Sequence, residues 1–469
     1  MIKSNLHNKH QIRNPEIDRI ELTDDSLTGR GGLALFVRYL SKIKIYPLLK
    51  RVFGSIRKSK KGLPVSDIFK QLFCFFIDGT SFSLTRFDTL KGDKGYTEVI
   101  ENREEEMISS HSIKRFFNAF SFVRIWSFRR LLQELFIWRL KIESPDVIIL
   151  GLDTMVMDND DAKKREGVEV TYKKKKGFQP LQLTWQNYII DAVFRGGSKH
   201  SNHKDTAVKM VEYIVNKIRK RYKKDVLIIL RLDAGFFDQD NFAAFEKMMV
   251  GYIGGGRIYN DIKEWVDSLP KKRYKNRESI WDYVDFMDKR GNWDKSRRAI
   301  YTKSYNEGKQ MLLPFARVER IFYTNLGVDK ELTEKFKTTG KEEYLKTETI
   351  IEIYHNRGND ELVHRALKDF GMEKLPFERF ECNAAFYYTM LMAFFLYESF
   401  KRDVVEGVVT IIEEKSYATT FRRLIIDFAA KIVRTGREII LKVTGTVWRR
   451  INIPELWRRC NSPPVINLA

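Results

Sequence analysis

The sequence predicts an α/β protein: an all-helical N-terminal domain, then an α/β core with a β-rich insertion. Three observations carry that prediction. Up to Pro145 the apolar residues recur at helical spacing. From Asp146 two short apolar runs, each of buried-strand length, end on an aspartate. Residues 257–345 then show partial alternation of apolar and polar side chains. The expected divisions are an arm at 1–30, a helical domain at 31–144, a first core part at 145–256, the insertion at 257–346, a second core part at 347–402 and a basic C-terminal region at 403–469.

The helical domain opens at Gly31-Gly32, with Leu33, Phe36, Val37, Leu40 and Ile43 on one stripe. A basic run follows at 57–61, and Ser66 is the expected cap of an apolar helix over Ile68–Ile77. Ser109-Ser110-His111-Ser112 opens another helix, and Val123–Leu140 reads as a longer one rich in Trp, Phe and Arg. Basic runs beside helices point to DNA contact by this region, with a helix-turn-helix candidate in 64–90 or 107–120.

The first strand run, Val147-Ile148-Ile149-Leu150-Gly151-Leu152-Asp153-Thr154, delivers Asp153 at its end. A basic hairpin follows, holding Lys173, Lys174, Lys175 and Lys176. Leu181–Phe194 reads as one long strand and His203–Tyr222 as a basic amphipathic helix. The second run, Val226-Leu227-Ile228-Ile229-Leu230-Arg231-Leu232-Asp233, ends on Asp233, and Asp238 or Asp240 is the expected cap of the next helix. Val250–Ile253 is a short strand cut off by three glycines.

After the insertion, Tyr354–Lys368 reads as one amphipathic helix. At about 100° per residue, Arg357, Glu361 and Lys368 lie at about 300°, 340° and 320° from Tyr354, an arc of roughly 60°. Leu362, Val363, Ala366, Leu367 and Phe370 form the adjoining apolar stripe. Gly358 opposes a continuous helix, at about 1 kcal/mol in a helix interior. Asn383–Arg402 is a strongly apolar helix; the tail reads as helical at Tyr417–Arg434 and strand-like at Glu438–Thr444.

With 469 residues, 43% apolar and 31% charged, the chain is a folded multidomain protein rather than a disordered one. Its 84 Lys+Arg against 62 Asp+Glu, a net +22, point to a polyanionic partner, double-stranded DNA first. No apolar run reaches the roughly 18 residues of a membrane span, and Met1-Ile2-Lys3-Ser4-Asn5 starts no secretory signal. The three cysteines, Cys74, Cys382 and Cys460, are far apart and form no CxxC or Cys/His cluster, so neither a zinc site nor a disulfide framework is supported and a reducing, cytoplasmic setting is expected.

Asp153 and Asp233 can meet if their strands are parallel neighbours. Carboxylates at strand ends, with Glu361 on a covering helix, make a hard-oxygen site for Mg²⁺ or Mn²⁺. Two such ions about 3.5–4 Å apart clamp both oxygens of an in-line phosphoryl displacement. Asp158, Asp160 and Asp161 are rivals to Asp153; Glu352 and Asp360 are rivals to Glu361.

Leu152-Asp153-Thr154, Leu232-Asp233-Ala234-Gly235-Phe236 and the spacing Tyr354-x2-Arg357-x3-Glu361-x6-Lys368 resemble the DDE transposases of bacterial insertion sequences. The resemblance covers roughly 30–445 in architecture, with its specific residues in those three islands. It implies a ribonuclease-H-like core and cut-and-paste cleavage at terminal inverted repeats through DNA hairpins. It also implies metal binding by Asp153, Asp233 and Glu361, and a nucleoid-associated homodimer assembled on transposon ends and target DNA. Tyr354, Arg357 and Lys368 would hold the terminal phosphates, and Trp281 or Trp293 in the insertion would receive a flipped base. A DNA nuclease without strand transfer and a DNA-binding protein with an inactive core are the alternatives.

Overall fold

A computed structural model describes residues 17–464 except 18, 57–61, 163, 200–204, 278, 292, 308–309 and 313–315. The basic run at 57–61 therefore lies outside the described residues, as does most of the expected arm.

A short strand, β1 (Ser26–Thr28), leads into helices α1 (Leu33–Lys42), α2 (Ile45–Phe53), α3 (Val65–Asp78), α4 (Arg86–Lys91), α5 (Lys94–Val99), α6 (Ser110–Asn118) and α7 (Phe122–Glu143). The core begins with β2 (Val147–Thr154), followed by β3 (Met157–Asp158), β4 (Glu169–Val170), β5 (Lys176–Phe178), β6 (Leu181–Trp185) and β7 (Tyr188–Val193). Then come α8 (Thr206–Arg221), β8 (Leu227–Leu232), α9 (Gln239–Lys247), β9 (Gly251–Gly255) and α10 (Asn260–Ser268). Strands β10 (Lys272–Lys275), β11 (Ile280–Asp288), β12 (Arg297–Ser304), β13 (Asn306–Glu307), β14 (Gln310–Met311) and β15 (Glu319–Thr324) follow. The chain continues through α11 (Lys330–Thr338), α12 (Thr347–His355), α13 (Gly358–Phe370), α14 (Phe380–Phe400) and α15 (Ala418–Phe421) to the hairpin β16 (Ala430–Thr435) and β17 (Glu438–Val443), then α16 (Gly445–Arg450) and α17 (Ile453–Asn461).

One nine-stranded sheet organises the molecule, in the order β10-β11-β12-β15-β9-β8-β2-β6-β7. β2, β8 and β9 are parallel neighbours; β6 and β7 continue antiparallel on one side and β15, β12, β11 and β10 on the other. Parallel strands need both faces covered, which is why β2 and β8 are almost wholly aliphatic. On one face Ile148, Leu150, Ile228 and Leu230 join a core shared with the N-terminal helices and α14. On the other, Val147, Ile149, Leu227 and Ile229 pack with Ile350, Ile351, Ile353 and Tyr354 of α12. Arg129 of α7 donates two hydrogen bonds, 2.9 and 2.6 Å, to buried Asp191 of β7, which ties the helical region to the sheet edge.

Several sequence expectations change. The β-rich stretch 257–346 is not a separate layer: β15 pairs with β9, so its strands widen the core sheet. Leu181–Phe194 is a tight hairpin rather than one strand, because Gln186 turns the chain with a positive φ of 52°. Pro64, not Ser66, occupies the N-cap of α3, while Asp238 does cap α9 through the amides of Asp240 and Asn241. The expected helix at 417–434 continues past Phe421 only through a π-helical turn to Ile426 and then gives way to β16, which pairs with β17. The start of the chain is not wholly a loose arm either: β1 pairs with β16, and a Cβ on Gly32 would lie 1.9 Å from the Ile425 carbonyl oxygen. No helix among the described residues is long and apolar enough to cross a membrane.

Candidate active site

The register of β2 and β8 runs from Val147 opposite Leu227 to Leu152 opposite Leu232. Asp153 of β2 and Asp233, the first residue past the end of β8, come next, so they emerge side by side on one sheet face. It is the face that α12 covers, and Asp360 of α13 reaches it over Gly151. One oxygen of each carboxylate is held by a backbone amide: Thr154 donates to Asp153 at 2.7 Å and Gly235 to Asp233 at 2.8 Å.

The helix expected over Tyr354–Lys368 is two helices. α12 ends at His355, Asn356 and Arg357 form a turn, and Gly358 opens α13. The Arg357 amide donates to Tyr354, three residues back, rather than in the four-residue step of an α-helix. Gly358 thus stands where the helix restarts, and the shared arc of a straight helix does not hold across the break.

The break separates the four residues by environment. Tyr354 is only 7% exposed; its ring stacks on Phe322 at 4.2 Å, and its hydroxyl lies over Gly255, 2.9 Å from where a Cβ would be. Arg357 faces Glu361 at 3.5 Å, and its charge reaches both aspartates. Glu361 is 56% exposed. Lys368, at the far end of α13, pairs with Glu373 at 2.7 Å.

Burial raises both aspartates above the usual carboxylate range, with the Arg357 cation opposing the shift. Repulsion adds to it: Asp360 and Glu361 act on Asp153, and Asp153 acts on Asp233. His364, one turn beyond Glu361, places Nδ1 4.0 Å from Asp153. Burial pushes the His364 pKa down to about 4, so at neutral pH the ring is uncharged and this contact is not an ion pair. Its Nε2 is buried with no hydrogen-bond partner.

Two aspartates in register are an all-oxygen donor pair of the kind hard divalent cations take. Among the described residues, though, no group of three or more His, Cys, Asp or Glu side chains is gathered closely enough to hold a metal ion. Glu361 is turned to Arg357 instead of completing the set. Its rival Asp360 is accounted for: it is buried and accepts hydrogen bonds from Arg231 at 2.8 Å and Thr184 at 3.0 Å. Glu352 accepts from Tyr274 and Asn276, while Asp158 and Asp161 pair with Lys175 and Lys374.

With this geometry in view, the comparisons with known proteins are direct. The family described as Transposase DDE domain group 1 matches residues 10–453. The chain belongs to the DDE transposases. No curated protein matches it. Among solved structures it is similar to piggyBac transposase in a synaptic complex with hairpin DNA, at 12% identity and a TM-score of 0.38, over 85% of this chain and 80% of that one.

In this transposase both tryptophans expected to receive a flipped base make packing contacts. Trp281 is 4% exposed and stacks with Tyr274 and His355. Trp293 packs against Phe237, Phe242 and Tyr323 with Arg297 over its ring. Lys173, Lys174, Lys175 and Lys176 are exposed around the β4–β5 turn, where Lys174 has a φ of 59° and Lys175 pairs with Asp158. Next to them Tyr172 is largely exposed; partial desolvation first, then the charges of Asp153, Asp233 and Glu361, raise its pKa, with Arg357 opposing. Sequence reasoning missed Thr184, Arg231, His364 and Tyr172. Arg231 left a signal, as a lone cation inside a buried-strand run, and so did Gly151, since a glycine within a strand marks a close approach.

Proposed function

We propose that this transposase carries out metal-dependent cut-and-paste DNA transposition, with Asp153, Asp233 and Glu361 as the catalytic, cation-holding acids. One observation carries the reading: the two aspartates sit at matching positions on adjacent parallel strands, under the helix that bears Glu361. The meander β2-β6-β7 beside parallel β8 and β9 supports a ribonuclease-H-like core. A divalent cation, Mg²⁺ or Mn²⁺ and two ions in the full site, would supply Lewis acidity toward a phosphodiester.

The chain's own residues do the rest. The backbone amides of Thr154 and Gly235 fix the aspartates in orientation. Arg357 offsets their charge in the absence of other cations and is placed to pair with a DNA phosphate once Glu361 turns inward. Tyr354 presents its hydroxyl at the Asp233 end of the row, Lys368 supplies a further cation along α13, and Lys173–Lys176 offer phosphate contacts from the hairpin. The substrates are double-stranded DNA carrying terminal inverted repeats and a target duplex, handled by a homodimer through a hairpin at the cut end.

Purified protein incubated with Mn²⁺, a labelled element end and target DNA tests this. Wild type is expected to nick, form a hairpin and join the end to target. Asp153→Asn, Asp233→Asn and Glu361→Gln are each expected to bind the end and cut nothing. Normal cleavage by any one of them removes that acid from the site, and cutting without joining reduces the protein to a nuclease.

A further inference from the structure

The break between α12 and α13 is bridged from the sheet below. Arg231 lies on β8, in register with Gly151 and two residues before Asp233. Its Nη1 is 3.4 Å from the Ile353 carbonyl in the last turn of α12, and its Nη2 is 2.8 Å from Asp360 Oδ1 in the first turn of α13. One guanidinium therefore grips both sides of the turn. The Thr184 hydroxyl of β6 lies 3.0 Å from the same Asp360 oxygen and 3.2 Å from the Gly151 carbonyl, its single proton shared between the two acceptors. The other oxygen, Asp360 Oδ2, lies 2.5 Å from where a Cβ on Gly151 would be. Gly151 is thus the strand position that lets the Asp360 carboxylate down onto the sheet. The row Thr184–Gly151–Arg231 lies two residues down the strands from Asp153 and Asp233, on the same face.

We propose that Arg231 and Asp360, seated on Gly151 and Thr184, are positioning residues that set Arg357, Glu361 and His364 against Asp153 and Asp233. This rests on reading those three acids as the reacting set. Asp360 precedes Glu361 in the chain, so anchoring it fixes the Glu361 backbone and leaves only that side chain free to turn. A helix that ran unbroken from α12 would not need the anchor; a helix interrupted at Asn356-Arg357 does.

The test uses the full-length chain with Asp360→Ala, Arg231→Ala and the double variant, read two ways. Amide exchange across 356–363 reports the position of α13 without any chemistry. A Mn²⁺ titration of end cleavage reports the site. Each single variant is expected to exchange at least about tenfold faster over 356–363, with β2 and β8 unchanged, and to raise the Mn²⁺ midpoint about 10–100-fold. The double variant should be no worse than either single, because the pair acts as one unit. Arg231→Lys, which keeps the charge but not the two-pronged grip, should fall between wild type and Arg231→Ala. This variant also covers the case in which Arg231→Ala fails to fold. Wild-type exchange and a wild-type midpoint in Asp360→Ala would overturn the inference. A wild-type protein that cuts no DNA would refute the reaction instead, and the exchange data would still decide the anchor.

Discussion

Helices α13 and α14 are neighbours in sequence and space but are held by opposite means. Every residue of α14 from Cys382 to Phe400 is buried, and the helix packs against α3, α7 and β7. Its position is set by volume: Phe386 touches Phe76 and Phe117, and Tyr397 touches Phe370 and Phe421. α13 buries Val363, Leu367 and Phe370 along one stripe and leaves Glu361 and Arg365 in solvent. Its N-terminal turn is placed by a few polar contacts, of which Arg231–Asp360 is the most buried ion pair. A packed helix resists small displacement everywhere. A helix set by polar contacts can be tuned one contact at a time, which suits the element that carries the proposed third acid, Glu361.

The contrast predicts a descending series of effects. Phe386→Ala should be the most damaging to the fold, at about 3–5 kcal/mol, since it opens a cavity in a core that cannot collapse. Denaturant unfolding checks this; a loss below 1 kcal/mol would mean that α14 is not held by packing. Glu398→Gln probes the polar exception in α14, where a buried glutamate pairs with Lys401 at 2.8 Å. Burial pushes the Glu398 pKa from 4.5 up to about 7, with Lys401 opposing. A raised folded-state pKa gives stability that is present below 4.5 and lost as pH rises through about 7. The Gln variant should therefore show a flatter stability profile across that window, and an unchanged slope in pH-dependent melts would count against Glu398 as its source. Lys368→Ala on α13 should cost the fold least, about 0–1 kcal/mol, because its pair with Glu373 is a third exposed. Its effect belongs to DNA: binding to an element end should weaken while the melting temperature hardly moves. Equal end binding would leave Lys368 with only a structural pair.

Much of this was legible in one dimension. The two aspartate-terminated runs are legible because a buried parallel strand must be apolar on both faces, so its polar end stands out. The buried α14 is legible for the same reason. The spacing of Tyr354, Arg357, Glu361 and Lys368 is also a property of order along the chain, and the DDE transposase family it resembles is the one whose model matches residues 10–453. The wheel drawn through those residues failed at one place, Asn356-Arg357, next to the Gly358 that opposes a continuous helix and that opens α13. The insertion read as a domain of its own because alternation marks strands but not the sheet they join. That Trp281 is buried and Trp293 half-buried could not be read from residue type, since exposure is not written there.

By itself the sequence determined which residues could do the chemistry and which segments had to be buried, since those follow from side-chain polarity and period. Only the tertiary structure decided which acid is committed elsewhere. Asp360 and Glu361 are adjacent in the chain and chemically alike, yet one is pinned between Arg231, Thr184 and the bare backbone of Gly151 while the other stays exposed. That choice is made by groups some 130 to 210 residues upstream, meeting across three strands, and no local pattern encodes it.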